Sequence, residues 1–287
     1  MTVTLGEGEN RAAIDPDDGG RVASLVIAGR ERLRVTPQTG MVEPALSWGS
    51  FLMAPFVGRL FEGALAWNDH VIAVPRNHGR HAIHGSVFDV PWRVIAQTAN
   101  TVALVCEMDR ARWPFRGRVF QRISLGPGVL ALEATIEADE PMPAALGWHP
   151  WFARGDGAVR VGVAADRVLQ LTEDLIPTGE LEAVDARTDL RDTPAIGSRK
   201  IDDVYTSVAS PAELCWPDLR LEIEFGPSVG SVVVYNHPEA ICVEPITAWP
   251  DAIRLTQAGR PDTGLVLLGA GERLTAWTRW NWTAITR

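Results

Sequence analysis

Apolar residues along the chain recur in short runs broken by turn formers, as in RVASLVIAGRERLRV, HVIAVPR, TVALVCEM, RVFQRISLGPGVLALEATIEA, LRLEIEFGPSVGSVVVYN and GLVLLGAGERLTAWTRW. Alternation with a period of two fits nearly all of them better than a period of 3.6, which predicts half-buried strands rather than amphipathic helices. Gly-Pro-Gly at 126 to 128 and Gly-Pro-Ser at 226 to 228 each separate two β-rich runs, as hairpin connections do, so sequential strands are expected to pair antiparallel. Helical patterns are few and short. The clearest covers 251 to 258, with Pro250 before it and Gly259 after it. The 26 glycines and 20 prolines are scattered, no linker-like stretch marks a boundary, and no fixed-period repeat is present. The expectation is one all-β domain over residues 1–287, built as a large antiparallel β-sandwich.

Composition narrows the partners. The chain has 287 residues, 46% hydrophobic and 22% charged, which is ordinary for a globular protein. Its 27 basic and 36 acidic side chains leave a net charge of −9, so the average surface repels a phosphodiester backbone and nucleic acid is not an expected partner. Cys106, Cys215 and Cys242 are odd in number and far apart, and they read as buried thiols of a reducing compartment. The first twenty residues lack the basic and apolar regions of a secretion signal, and no later stretch reaches the length of a membrane span. A cytoplasmic protein without a membrane partner is expected. Eleven tryptophans against two tyrosines supply flat faces that either fill a core or stack on a ligand such as a sugar.

Five segments offer chemistry. NHGRHAIHG carries His78, His81 and His84 at three-residue intervals, but in a strand His81 faces away from the other two and no carboxylate completes a metal-ligand set. His78 and His81 are expected to lie exposed in a loop, whereas Gly85 lets the chain turn closely while His84 faces a cleft. In LGWHPWF, His149 sits between Trp148 and Trp151, and Pro150 holds it extended, either as a core histidine or as an acid–base group. In ICVEPITAWPDA, Glu244 ends an apolar run, where a carboxylate is either paired or functional. Arg59 of FVGRL could fork onto vicinal hydroxyls or onto a carboxylate. In IDDVY, Asp202 and Asp203 precede a strand, where a turn or cap role is the ordinary one.

In this order, from about Phe51 to the C-terminus, these segments resemble the aldose 1-epimerase (galactose mutarotase) family. The matching pieces are the Gly-Arg of VGRLFEG, Asn77 and His84-Gly85 with Trp92 downstream, the His-Pro-aromatic-Phe of HPWF, the Asp-x-x-aromatic of DDVY, ICVEP with its following PDA, and TGLVLLGAGERL. The resemblance implies a cofactor-free and metal-free enzyme on a galactose mutarotase-like supersandwich that interconverts the α and β anomers of a free sugar. It assigns Glu244 as general base on the anomeric hydroxyl and His149 as general acid on the ring oxygen. It places Arg59, His84 and Asp202 on sugar hydroxyls. Asp203 is the adjacent candidate for the inward position, since neighbouring strand residues face opposite ways. Ser86 stands where the family usually has a second glycine, and Trp151 where a tyrosine is more common.

Opening a hemiacetal ring removes a proton from O1 while the ring oxygen gains one. This calls for a base and an acid side by side, such as an ionised glutamate (ordinary pKa about 4.3) and a histidine kept protonated by nearby carboxylates (about 6.5). Three alternatives carry different chemistry. A hexose-6-phosphate mutarotase needs a cationic pocket. The run DRARWPFRGRVFQR supplies Arg110, Arg112, Arg116, Arg118 and Arg122, but strand alternation puts the last three on one solvated face. A non-catalytic sugar-binding module needs no paired acid and base. A glycoside hydrolase needs two carboxylates across the bond, and only Glu244 has a convincing setting.

Overall fold

A computed structural model describes residues 2–39 and 43–285. Two large antiparallel sheets dominate it, so the all-β expectation holds. The first runs in spatial order Val3–Glu7, Asn10–Asp15, Arg21–Ile27, Ser50–Met53, Gly147–Pro150, Ala240–Ile246, Ser231–Asn236, Asp202–Thr206, Arg167–Leu171 and Pro177–Ala183, with Phe152–Ala153 and Arg30–Glu31 attached to its sides. The second runs Arg93–Gln97, Thr101–Glu107, Gly117–Gly126, Val129–Ala138, Arg273–Ala284, Leu219–Phe225, Ala209–Cys215 and Arg160–Ala164.

The two sheets differ in what they cover. In the second, Gly117–Gly126 and Val129–Ala138 alternate buried and more open positions residue by residue, because only one face meets the core. The middle of the first sheet is buried on both faces: Ser50–Met53, Gly147–Pro150 and Ala240–Ile246 are buried throughout. Their inward side chains, including Leu52, Trp148, Ile241 and Val243, join Leu132, Ile136 and Trp280 of the second sheet in the inter-sheet core. Their outward side chains, including Phe51, Met53, Cys242 and Ile246, join Trp151, Val204 and Trp249 in a second core under the loops. A polar site on that outer face is shielded from bulk water by the loops and held on rigid strands.

The turn at 126 to 128 joins Gly117–Gly126 to Val129–Ala138 as the expected hairpin. The turn at 226 to 228 does not make one. Leu219–Phe225 pairs within the second sheet, whereas Ser231–Asn236 pairs with Ala240–Ile246 and Asp202–Thr206 in the first, so this segment crosses between layers. Gly-Pro-Ser encodes the change of direction but not the strand on which the chain lands. The helix at 251 to 258 is present as Ala252–Gln257, entered through Asp251 at φ +56°. No helix among the described residues is long and apolar enough to cross a membrane.

Candidate active site

Register puts the candidate residues together. Asp202 lies opposite Tyr235, Tyr235 opposite Cys242, and Glu244 opposite Val233 across three adjacent strands, so these side chains share the outer face of the first sheet with Val204 and Ile246. The next strand, Gly147–Pro150, brings His149 onto the same face beside Phe51 of Ser50–Met53. Parity also separates the two aspartates. Asp202 lines the cavity on the outer face, while Asp203 points the other way and forms a two-pronged ion pair with Arg187.

Arg59 and His84 arrive on a short ladder above the sheet, in which Arg59 pairs with Ile83 and the His84 N–H donates to the Gly58 carbonyl at 2.9 Å. His84 takes a left-handed φ of +61° and Gly85 follows at +83°. A Cβ at Gly85 would sit 1.9 Å from the Ala54 carbonyl oxygen, so the chain passes here only without a side chain. That close passage presses the His84 imidazole edge-on against His149, with centroids 4.9 Å apart and planes at 84°.

Arg59, His78, His84, His149, Trp151, Asp202, Tyr235 and Glu244 line one cavity of about 360 Å³, together with apolar walls from Met53, Leu171, Leu175 and Ile246. It opens beside a wider basin of about 720 Å³ that shares Leu171, Leu175, Asp202 and Tyr235. His149 Nε2 lies 3.3 Å from Glu244 Oε1, and both side chains are buried. The imidazole is fixed in a stack, with Phe51 at 4.8 Å on one contact and Trp151 at 5.4 Å and 12° on another. Trp148 packs inside the inter-sheet core and Trp249 in the core beneath the loops, which leaves Trp151 as the cavity's tryptophan among the three.

Burial dominates the electrostatics and alters the expected charges. Desolvation raises Glu244 well above its ordinary range; Asp202 adds to this and Arg59 opposes it. Burial pushes His149 down to about 3, and the Arg21 guanidinium adds to the lowering. Burial therefore works against an ionised glutamate facing a protonated histidine. His84 is likewise lowered well below its ordinary value by burial and by His149 and Arg59. Asp202 is raised by burial against the attraction of Arg59, and Arg59 is lowered by burial against the pull of Asp202 and Glu244.

Two histidine expectations need correction. His81 is buried rather than exposed, and its Nδ1 accepts the Glu62 N–H at 3.1 Å. His78 is half-buried and lines the cavity. The backbones of His78 and His81 bond reciprocally around Gly79, a tight turn that alternation alone does not reveal. Tyr235 also went unmarked in the sequence, although VVVYN alternates in a way that places it on the face of Val233. A group that could hold a cation is present: His149, Cys242 and Glu244 offer ligand atoms within 4.8 Å of one another.

The family model for aldose 1-epimerase matches residues 1–281, which extends the likeness back through the N-terminal strands. Among solved structures, a protein of Escherichia coli provisionally described as an aldose 1-epimerase superposes with a TM-score of 0.87 at 19% identity, covering 99% of each chain. An aldose epimerase homologue from C. elegans gives 0.86 at 14% identity over 100% of this chain and 99% of that one. A galactose 1-epimerase from Lactobacillus acidophilus gives 0.81 at 16% identity over 99% and 94%. Identities this low speak to the shared fold, and the family model speaks to descent: the chain belongs to the aldose 1-epimerase family.

Proposed function

We propose that the protein is a mutarotase that interconverts the α and β anomers of a free aldose, with Glu244 and His149 as its proton-transferring pair. The observation that carries this reading is the 3.3 Å contact between His149 Nε2 and Glu244 Oε1, facing a cavity at the small end of the roughly 300–1,000 Å³ range of small-molecule sites.

The pair shares one proton, which is the whole inventory that ring opening needs. Burial favours that proton on Glu244 over the charged pair. Moving it across the contact to His149 changes no net charge, and sugar hydroxyls entering the cavity supply the dipoles that stabilise the resulting ion pair. Glu244 then accepts the O1 proton while His149 donates to the ring oxygen, the C1–O5 bond breaks and C1=O1 forms. After rotation about C1–C2, the O5 hydroxyl adds to the other face of C1, its proton returns to His149, and Glu244 gives its proton to O1. Arg59, His84 and Asp202 bind sugar hydroxyls in this scheme, and the buried Nδ1 of His84 lacks a partner among the described residues that a hydroxyl would supply.

A free sugar is favoured over a phosphorylated one. Arg59 is the arginine lining the cavity, and Asp202 and Glu244 already oppose its charge. The arginines at 110 to 118 have carboxylate partners elsewhere: Arg110 on Glu140, Arg112 on Asp89 and Arg118 on Glu137. Polarimetry of freshly dissolved α-D-glucose and α-D-galactose tests the reading. Faster relaxation to the same final rotation, absent with Glu244→Gln, is the expected result, and no acceleration of either sugar by the wild-type chain would count against it.

A further inference from the structure

Cys242 takes no part in the proposed reaction, yet it sits on the same face of Ala240–Ile246 as Glu244, two residues away, with His149 on the neighbouring strand. It does not line the cavity but lies behind it, in the outer core. We propose that His149, Cys242 and Glu244 form a three-ligand site for a borderline-soft divalent cation such as Zn²⁺, which on binding sequesters the proton-transferring pair and halts turnover.

Ligand chemistry, geometry and charge support the site. Imidazole nitrogen, thiolate sulfur and carboxylate oxygen are the three donor types that zinc takes, and three protein ligands with one open position is a common arrangement. Bond lengths of about 2.0–2.3 Å set tetrahedral ligand separations at about 3.3–3.7 Å. The His149–Glu244 separation already falls there, and the widest pair in the group is no more than 4.8 Å apart. One thiolate and one carboxylate neutralise a dication, so the buried complex carries no net charge, and Asp202 nearby offsets Arg59. The thiol proton and the proton shared by Glu244 and His149 leave to solvent as the metal enters. The cavity provides the entry path and the open fourth position.

Inhibition rests on the acid–base reading above; binding does not, and the two are read separately. Chelator-stripped full-length protein is titrated with CoCl₂ and with ZnCl₂. Expected are a thiolate-to-cobalt charge-transfer band with the strong visible absorption of four-coordinate cobalt, one zinc per chain by calorimetry, and loss of mutarotation that chelator reverses. Cys242→Ala should abolish the band and weaken zinc by about 100-fold or more, given that even groups merely supporting a ligand cost 10–100-fold. That variant should retain mutarotation at zinc concentrations that stop the wild type. Cys106→Ala should keep the band, and thermal melts confirm that both variants fold. Absence of the band, or unchanged zinc affinity in Cys242→Ala, overturns the site. Zinc bound with all these signatures but without inhibition overturns the inhibitory role. A wild-type chain inactive on every sugar would defeat the mutarotase reading, while the cobalt spectrum would still decide the site.

Discussion

His149 Nε2 and Glu244 Oε1 stand 3.3 Å apart with neither residue more than 6% exposed, and burial drives both toward their neutral forms. A carboxyl and an imidazole so placed act as one unit holding one proton, and removing either should disable it. Glu244→Gln keeps the shape and loses the proton site; His149→Asn keeps a polar group and loses the titration. Each should lower kcat by about 10²–10⁴, the usual worth of acid–base catalysis, with the thermal melt still cooperative. Exchange spectroscopy between anomers measures the rate directly.

In the proposed reaction the same pair should set the pH profile. Its working state carries one proton. His149 is pushed down to about 3, so the acid limb, where a second proton arrives, should lie well below the 6.5 of an ordinary histidine. Glu244 is raised by burial, so the alkaline limb, where the shared proton is lost, should lie well above 4.5. The plateau should therefore be broad, with apparent limits belonging to the pair rather than to either residue. A narrow optimum bounded at 4.5 and 6.5, measured as kcat/KM, would contradict this electrostatic picture.

Stability should follow the opposite logic to activity. Glu244's pKa is higher folded than unfolded, so between the two values the folded chain holds a proton that the unfolded chain has released. Stability is then lost as pH rises above 4.5. Glu244→Gln removes this loss. Its Tm relative to wild type should increase steadily with pH above 4.5, which scanning calorimetry across a pH series can read.

The pattern of apolar runs was enough to specify strands and antiparallel sheets, because the second sheet alternates cleanly over Gly117–Gly126 and Val129–Ala138. It was not enough to place Ser231–Asn236 in the other layer, since a turn states where the chain bends and not which edge receives it. Glu244 and His149 stood out because a carboxylate and an imidazole are costly inside runs that are buried throughout. Their protonation did not, because burial depends on the loops that cover the outer face. The choice of Asp202 over Asp203 became physical only through register, which sets one residue opposite Tyr235 and on the cavity face while Arg187 claims the other.

Gly85 controls where His84 stands. Its φ of +83° disfavours any side chain, and a Cβ would collide with the Ala54 carbonyl oxygen at 1.9 Å. Gly85→Ala should cost more than about 2 kcal/mol and displace the segment carrying His84. Denaturant titration should show the lost stability, and KM for the sugar should rise. Gly79→Ala, whose Cβ meets nothing within 4 Å although its φ is also positive, should cost less.

Asp251 is the anchor that ties the chain after Glu244 to Arg59. Its side chain is fully buried, Oδ1 accepts the Phe61 N–H at 3.1 Å, Oδ2 pairs with Arg254, and its own N–H donates to the Arg59 carbonyl at 2.9 Å. The residue reaches no sugar in the proposed scheme, so it acts by positioning. Asp251→Asn keeps an acceptor for Phe61 and tolerates the left-handed φ of +56°, whereas Asp251→Val keeps neither. The valine variant leaves the half-buried Phe61 N–H without its side-chain acceptor, at a cost of about 1 kcal/mol, and frees the strand end that aims Arg59 into the cavity. KM should therefore rise several-fold in Asp251→Val and change little in Asp251→Asn, with kcat less affected than KM because Glu244 and His149 stand on other strands. Equal KM in the two variants, both folded, would show that Arg59 is held by its ladder with Ile83 alone.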